Sequence, residues 1–207
     1  MIKDVLKLVF ALTLVCVIAA LALVYAYNTT KDAIAEQDRL AKLEAIKAVL
    51  PPYDNEPDRS IKEKNGGMVT MDEKEYYIAK KEGIITGVAF QESTKNGYGG
   101  LIEVMIGVSP KGSLNGIDIV KHLETPGLGN KIDTPQEDNT FKNQFKDKSL
   151  ANSKLINGEL KVKKDGGDIQ AISGATISPR AVCEAVSKGL KHFEIIKEKL
   201  FSIESSE

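Results

Sequence analysis

Residues 168–180 read DIQAISGATISPR and set three hydroxyl side chains, Ser173, Thr176 and Ser178, around the small residues Gly174 and Ala175. An apolar strand end feeds this junction and a helix follows it. The first turn of a helix leaves backbone N–H groups without partners, and the helix dipole adds partial positive charge there. Such a junction favours an anion, typically a phosphate. Gly174 lets the backbone approach a ligand closely, and Ala175 adds no bulk beside Thr176. The result is an accessible hydroxyl at a phosphate-friendly position. Arg180 opposes the dipole unless an anion sits nearby. The same residues also read as an ordinary helix start, with Ser173 and Thr176 in turn hydrogen bonds and Ser178 as the cap. No Walker-type Gly-Lys-Thr accompanies them.

A second stretch, HLETPGLGNKI at residues 122–132, follows an apolar strand. Pro126, Gly127 and Gly129 make a compact turn that exposes Leu128. Such a loop lays backbone amides and one apolar side chain against a flat ring, with Glu124 and Thr125 at its edge. Alone, it reads equally as a tight surface loop. The run KNGYGG at residues 95–100 is a strand-entry turn whose Tyr98 is a candidate for the same pocket. The loop and the SGAT turn are expected to meet across the sheet. His122 and His192 are the only histidines, and Cys16 and Cys183 the only cysteines. A self-contained four-cysteine iron–sulfur site is excluded and no metal site is expected. If the chain moves electrons, it needs an organic carrier. Cys183 reads as a packing residue on a helix.

The elements that must position these residues follow from periodicity. Residues 75–80, 84–90, 102–108 and 114–120 are predicted strands, the last two joined as a hairpin through Pro110-Lys111-Gly112. Short strands are also predicted at residues 159–163 and 169–172, and a short amphipathic helix around Phe141 and Phe145. The final helix is the clearest: Ser178 caps it, Pro179 suits its first position, and Val182, Ala185, Val186, Gly189, Leu190, Phe193, Ile196 and Leu200 recur at helical spacing. The predicted class is α+β, a small mainly antiparallel sheet with packed helices.

Upstream, residues 8–27 carry no charge. About 20 apolar residues at about 1.5 Å rise span about 30 Å, one bilayer core. A cleaved secretory signal has a shorter apolar region. A lipoprotein signal is disfavoured by Val15 before Cys16. An uncleaved anchor over residues 1–27 is therefore expected, with Tyr25 and Tyr27 in the interfacial belt. Lys3 and Lys7 precede it and Lys31, Arg39, Lys42 and Lys47 follow it, so the Lys/Arg count alone does not decide the orientation; the expectation is the signal-anchor arrangement, with the N-terminus in the cytoplasm and the bulk of the chain on the far side. Residues 28–52 read as a stalk helix, capped by Asn28 or Thr29 and stopped by Pro51-Pro52. Residues 53–68 are polar and read as a linker, so the folded domain is bounded as 53–207. Charges nearly cancel, 28 basic against 29 acidic, so no basic field exists to hold nucleic acid. Lys161, Lys163 and Lys164 read as a solvated strand face.

The anchor, GYGG, ETPGLG and SGATISP occur in this order, and the combination resembles the membrane-anchored FMN-binding domains. Within them it resembles the G subunits of Rnf ion-translocating electron-transport complexes and, less closely, the C subunits of Na+-translocating NADH:quinone reductases. The resemblance covers nearly the whole chain. It implies covalent FMN esterified to Thr176, with Ser173, Gly174 and Ala175 shaping the phosphate turn. It implies that Glu124, Thr125, Gly127 and Leu128 contact the flavin, with Tyr98 beside them. It further implies a redox subunit, not catalytic alone, in a membrane complex coupling electron transfer between ferredoxin and NAD to Na+ or H+ translocation, with a flavin transferase needed for maturation. One departure is Gln170, where the family often has Asp three residues before the motif. The rival expectation is a structural or binding subunit that never acquires flavin, with Thr176 as a plain turn residue.

Overall fold

The computed structural model describes residues 2–133 and 141–204. The chain divides into two compact units, Met1–Ala41 and Lys42–Glu207. The first is helical. Helix α1 spans Ile2–Val49 and is long and apolar enough to cross a membrane, with a mean hydropathy of 2.8 in its most apolar stretch. Side chains of residues 2–27 are exposed throughout. Thr13, Thr29 and Thr30 turn their hydroxyls back onto the carbonyls of Val9, Tyr25 and Ala26, which satisfies them inside the helix. The expected cap at Asn28 or Thr29 is thus absent, and one helix runs through.

The second unit holds a six-stranded sheet in sequential order, β1 Glu56–Ser60, β2 Gly66–Met71, β3 Lys74–Lys81, β4 Ile84–Thr94, β5 Ile102–Val108 and β6 Leu114–His122. All neighbours are antiparallel except β1 and β2, which run parallel. The four strands predicted between residues 75 and 120 are present. The polar segment read as a linker instead supplies β1 and the start of β2. As an edge strand, β1 needs only one bonded side and one anchor, Pro57, which is buried while Asp58 and Arg59 stay in water.

Helix α2, Ile177–Glu204, covers one face of the sheet. Val182, Ala185, Val186, Leu190, Phe193, Ile196 and Leu200 are buried against Phe90, Val104 and Ile106. A Cβ on Gly189 would lie 2.5 Å from Ile106 Cδ1, so glycine permits this close crossing. His192 of α2 bonds the Tyr76 hydroxyl at 2.7 Å. On the other face, the end of α1 packs Ala45, Ile46, Val49 and Leu50 against Tyr77, Ala89 and Met105. That helix ends at Val49, two residues before Pro51, as the restriction on residues preceding proline requires. The α+β class with an N-terminal apolar helix therefore holds.

Between β6 and α2 the chain is irregular. A 3-10 helix, Phe141–Phe145, occupies part of the predicted amphipathic helix; residues 138–140 of that prediction lie outside the described residues. The strand expected at 159–163 shortens to β8, Glu159–Leu160, paired with β7, Leu155–Ile156. Val162 and Ile169 pair as an isolated bridge, and Lys163–Asp165 form a 3-10 turn. Lys163 and Lys164 thus sit on a turn, not on a strand face.

Candidate functional site

Thr94, Ile102 and His122 are in register, so β4, β5 and β6 share one end. The GYGG turn joins β4 to β5 there, and the ETPGLG loop leaves β6 there. The N-terminus of α2 arrives at the same place. Together they bound a cleft of about 450 Å³, lined by Tyr98, Glu124, Thr125, Leu128, Gly129 and residues 174–178. The two motifs meet beside each other at the end of the sheet, not across it as expected.

Glu124 ties the three segments. It is only 5% exposed. Its Oε2 accepts a 2.6 Å hydrogen bond from Ser178 Oγ on α2, and its Oε1 accepts one of 3.2 Å from the Gly99 N–H. Its own N–H donates to His122 Nδ1 at 3.2 Å, which fixes that ring nitrogen as an acceptor. A Cβ on Gly97 would lie 2.5 Å from Glu124 Oε1, and one on Gly129 would lie 2.3 Å from Oε2. These glycines are needed so that backbone can close around the carboxylate. At Gly127, a φ of +77° turns the chain and presents Leu128.

The SGAT turn is built by a bridge between Ile172 and Ala175, with the Ala175 N–H bonded to the Ile172 carbonyl at 3.1 Å. Gly174, with φ +78°, takes the position in this tight turn that side-chain-bearing residues rarely adopt. Leu128 leans over it: its Cδ2 lies 3.7 Å from where a Gly174 Cβ would stand. Helix α2 begins at Ile177, and the Arg180 N–H bonds the Thr176 carbonyl at 3.2 Å. The cap position therefore belongs to Thr176, not to Ser178, because the residue whose carbonyl accepts the first intrahelical bond is the N-cap. Ser178 lies inside the helix and is buried. Pro179 is the third helical residue, where its missing N–H costs nothing because first-turn donors have no intrahelical partner.

Charge at the turn is arranged around Thr176. Lys164 Nζ donates to Thr176 Oγ1 at 3.3 Å. Arg180 is not waiting for an anion: its guanidinium grips Asp165 with two bonds of 2.6 and 2.7 Å. That fork holds the Asp165 carboxyl below its ordinary range and raises the Arg180 pKa. Cys183, buried one turn further along, has its thiol pushed up to about 12 by burial, so it is an inert packing group.

The structure brings together Tyr98, Glu124, Thr125, Leu128, Gly174, Ala175 and Thr176. It places Gly127 outside the cleft lining. Ser173 faces a neighbouring depression with Gln144 and Gln170. The Gln170 backbone is clamped by the Gln144 amide at 2.6 and 3.2 Å, while its side chain is exposed. Asp168 does not substitute for the missing acid there, since it accepts from the Lys154 N–H at 3.1 Å. Sequence reasoning missed Gly129, Ile177 and Lys164. Ile177 was legible as the neighbour of Thr176. Lys164 was not, because a bridge and a 3-10 turn bring it back across twelve residues.

The cleft and its border offer two kinds of group. The Thr176 hydroxyl, the Lys164 ammonium bonded to it and the first-turn N–H groups of α2 suit a phosphate. The exposed side chains of Leu128 (48%), Ile177 (45%) and Tyr98 (71%) suit a flat apolar ring. These residues fit FMN, an anionic phosphate joined to a flavin ring.

Comparison with known proteins agrees. The FMN-binding domain family matches residues 97–191, which include the GYGG turn, the ETPGLG loop and the SGAT turn. The chain is 36% identical to the G subunit of the ion-translocating oxidoreductase complex of Pseudomonas aeruginosa, covering 86% of this chain and 83% of that one. It is 36% identical to the corresponding protein of Stutzerimonas stutzeri, covering 87% and 77%. With that of Shewanella amazonensis the identity is 37%, covering 91% and 87%. The cleft lies within the residues that match the FMN-binding domain family, and the chain belongs to the family formed by the G subunits of ion-translocating oxidoreductase complexes.

Proposed function

We propose that this chain is a membrane-anchored flavoprotein subunit carrying one FMN in phosphoester linkage to Thr176. The observation that carries this reading is the placement of the Thr176 hydroxyl in the cleft, at the cap of α2 and within bonding distance of Lys164. Bound FMN supplies one- and two-electron redox chemistry. The chain's own residues supply position. Thr176 Oγ1 would be the ester oxygen that holds the phosphate in place of its proton. First-turn N–H groups face the phosphate. Leu128, Ile177 and Tyr98 would cover the ring and keep water from it, and Glu124 holds the loops of Leu128 and Tyr98 to α2.

A threonine hydroxyl is a weak nucleophile without an activating base, and the group bonded to it is the Lys164 ammonium, a donor; in this reading a dedicated flavin transferase makes the bond. The exposed Gln170 side chain lies beside the turn that this enzyme reads. The subunit relays electrons within a complex that couples ferredoxin and NAD chemistry to Na+ or H+ translocation, and the other subunits carry the hydride step. The flavin domain lies on the extracytoplasmic side of the anchor.

Co-expression with a transferase tests the linkage. Wild-type protein is expected to be yellow and to keep its flavin in acid, and Thr176→Ala is expected to lose all covalent flavin without losing its fold. A flavin mass retained on the Thr176→Ala peptide rejects the assignment. Wild-type protein that stays colourless with an active transferase supports the flavin-free structural subunit instead.

A further inference from the structure

Lys164 lies outside the motifs that point to flavin, yet its ammonium is the charged group bonded to the Thr176 hydroxyl. Its position is built. The Lys163 N–H bonds the Ile169 carbonyl at 2.7 Å, and the Asp165 N–H bonds the Val162 carbonyl at 2.8 Å. Gly166, with φ +90°, closes the turn. Asp165, next in sequence, anchors the turn to α2 through its two bonds to Arg180. Because Arg180 occupies both Asp165 oxygens, the carboxylate nearest in sequence is already engaged, and Lys164 is left to point at Thr176 Oγ1 at 3.3 Å.

A neutral hydroxyl is a poor reason to order an exposed lysine, whose side chain loses rotamer freedom when it is held. An anion is a better one, since a charge-assisted bond is about twice as strong as a neutral one. Esterification would place a phosphodiester, with one negative charge, directly on the oxygen that Lys164 now touches. The helix terminus contributes from the other side. Resting on the reading that Thr176 carries FMN, we propose that Lys164 is the counter-cation of the flavin phosphodiester. It is a positioning residue that holds the phosphate end of the cofactor and takes no part in attaching it.

The test uses the full-length chain in detergent, loaded by a transferase, with covalent flavin followed by in-gel fluorescence and the phosphodiester by ³¹P NMR. The flavin-loaded fraction of Lys164→Met is expected to give a shifted ³¹P resonance. Lys164→Arg is expected to stay near the wild-type position, and Lys111→Met, on the β5–β6 turn, to coincide with it. Between about 0.01 M and about 1 M salt, where the screening length falls from about 30 Å to about 3 Å, the wild-type resonance is expected to move toward that of Lys164→Met. Coincident resonances of Lys164→Met and wild type at both salt concentrations overturn the proposal. So does failure of a folded Lys164→Met to load, because the lysine would then act in attachment. Wild type that does not load, or Thr176→Ala that does, sinks the Thr176 assignment itself, and the proposal with it.

Discussion

Ser178 Oγ and Glu124 Oε2 are joined by a 2.6 Å hydrogen bond between residues 54 apart in sequence, and both side chains are buried. The bond fastens the loop presenting Leu128 to the helix that Thr176 caps. Ser178→Ala leaves a buried carboxylate oxygen without its donor, a loss of about 1–3 kcal/mol. Chemical unfolding of the chain in detergent is expected to show this as a lower midpoint with an unchanged slope. Glu124→Gln keeps an acceptor and is expected to cost less than Glu124→Ala. If Ser178→Ala unfolds like wild type, this bond does not hold the site together.

How much of this was legible in the sequence depends on where each signal is local. The strands from Lys74 to His122 and the long α2 declare themselves by apolar period, because each buries one regular face. The strand β1 does not, since its edge position asks for one buried side chain among polar ones. The motif loops announced their residues but not their mutual contacts. Ser178 looked like a cap by type, yet the helix starts one residue after Thr176, and the hydroxyl serves Glu124 instead. Arg180 looked like an anion ligand by position, and a tertiary contact with Asp165 claims it. Lys164 carried no local signal at all.

The proposed orientation rests on charge ahead of the anchor. Lys3 and Lys7 precede the apolar run, and long domains translocate largely regardless of their own charge. Protease added to intact, wall-stripped cells is expected to remove the folded unit beyond Ala41. Cleavage seen only after lysis reverses the topology and places the flavin domain in the cytoplasm.

The apolar side chains of the cleft give the most specific prediction for the ring. The phosphate turn alone has little to cover an aromatic system, since Ala175 and Gly174 are small. Leu128 has the size and the position: it is 48% exposed, it is held out by the turn at Gly127, and its Cδ2 leans toward Gly174. Covering its exposed half with a ring would contribute about 1 kcal/mol, from about 1.5–3 kcal/mol for full burial of a leucine. Leu128→Ala is expected to load FMN, because the attachment hydroxyl itself is untouched. It is expected to loosen the ring, which is read as a shift in flavin absorbance, fluorescence yield or midpoint potential. A variant with wild-type spectra and potential would place the ring away from Leu128. Tyr98 and Ile177 would then be its remaining apolar neighbours in the cleft, and the ETPGLG loop would serve only to anchor α2 through Glu124.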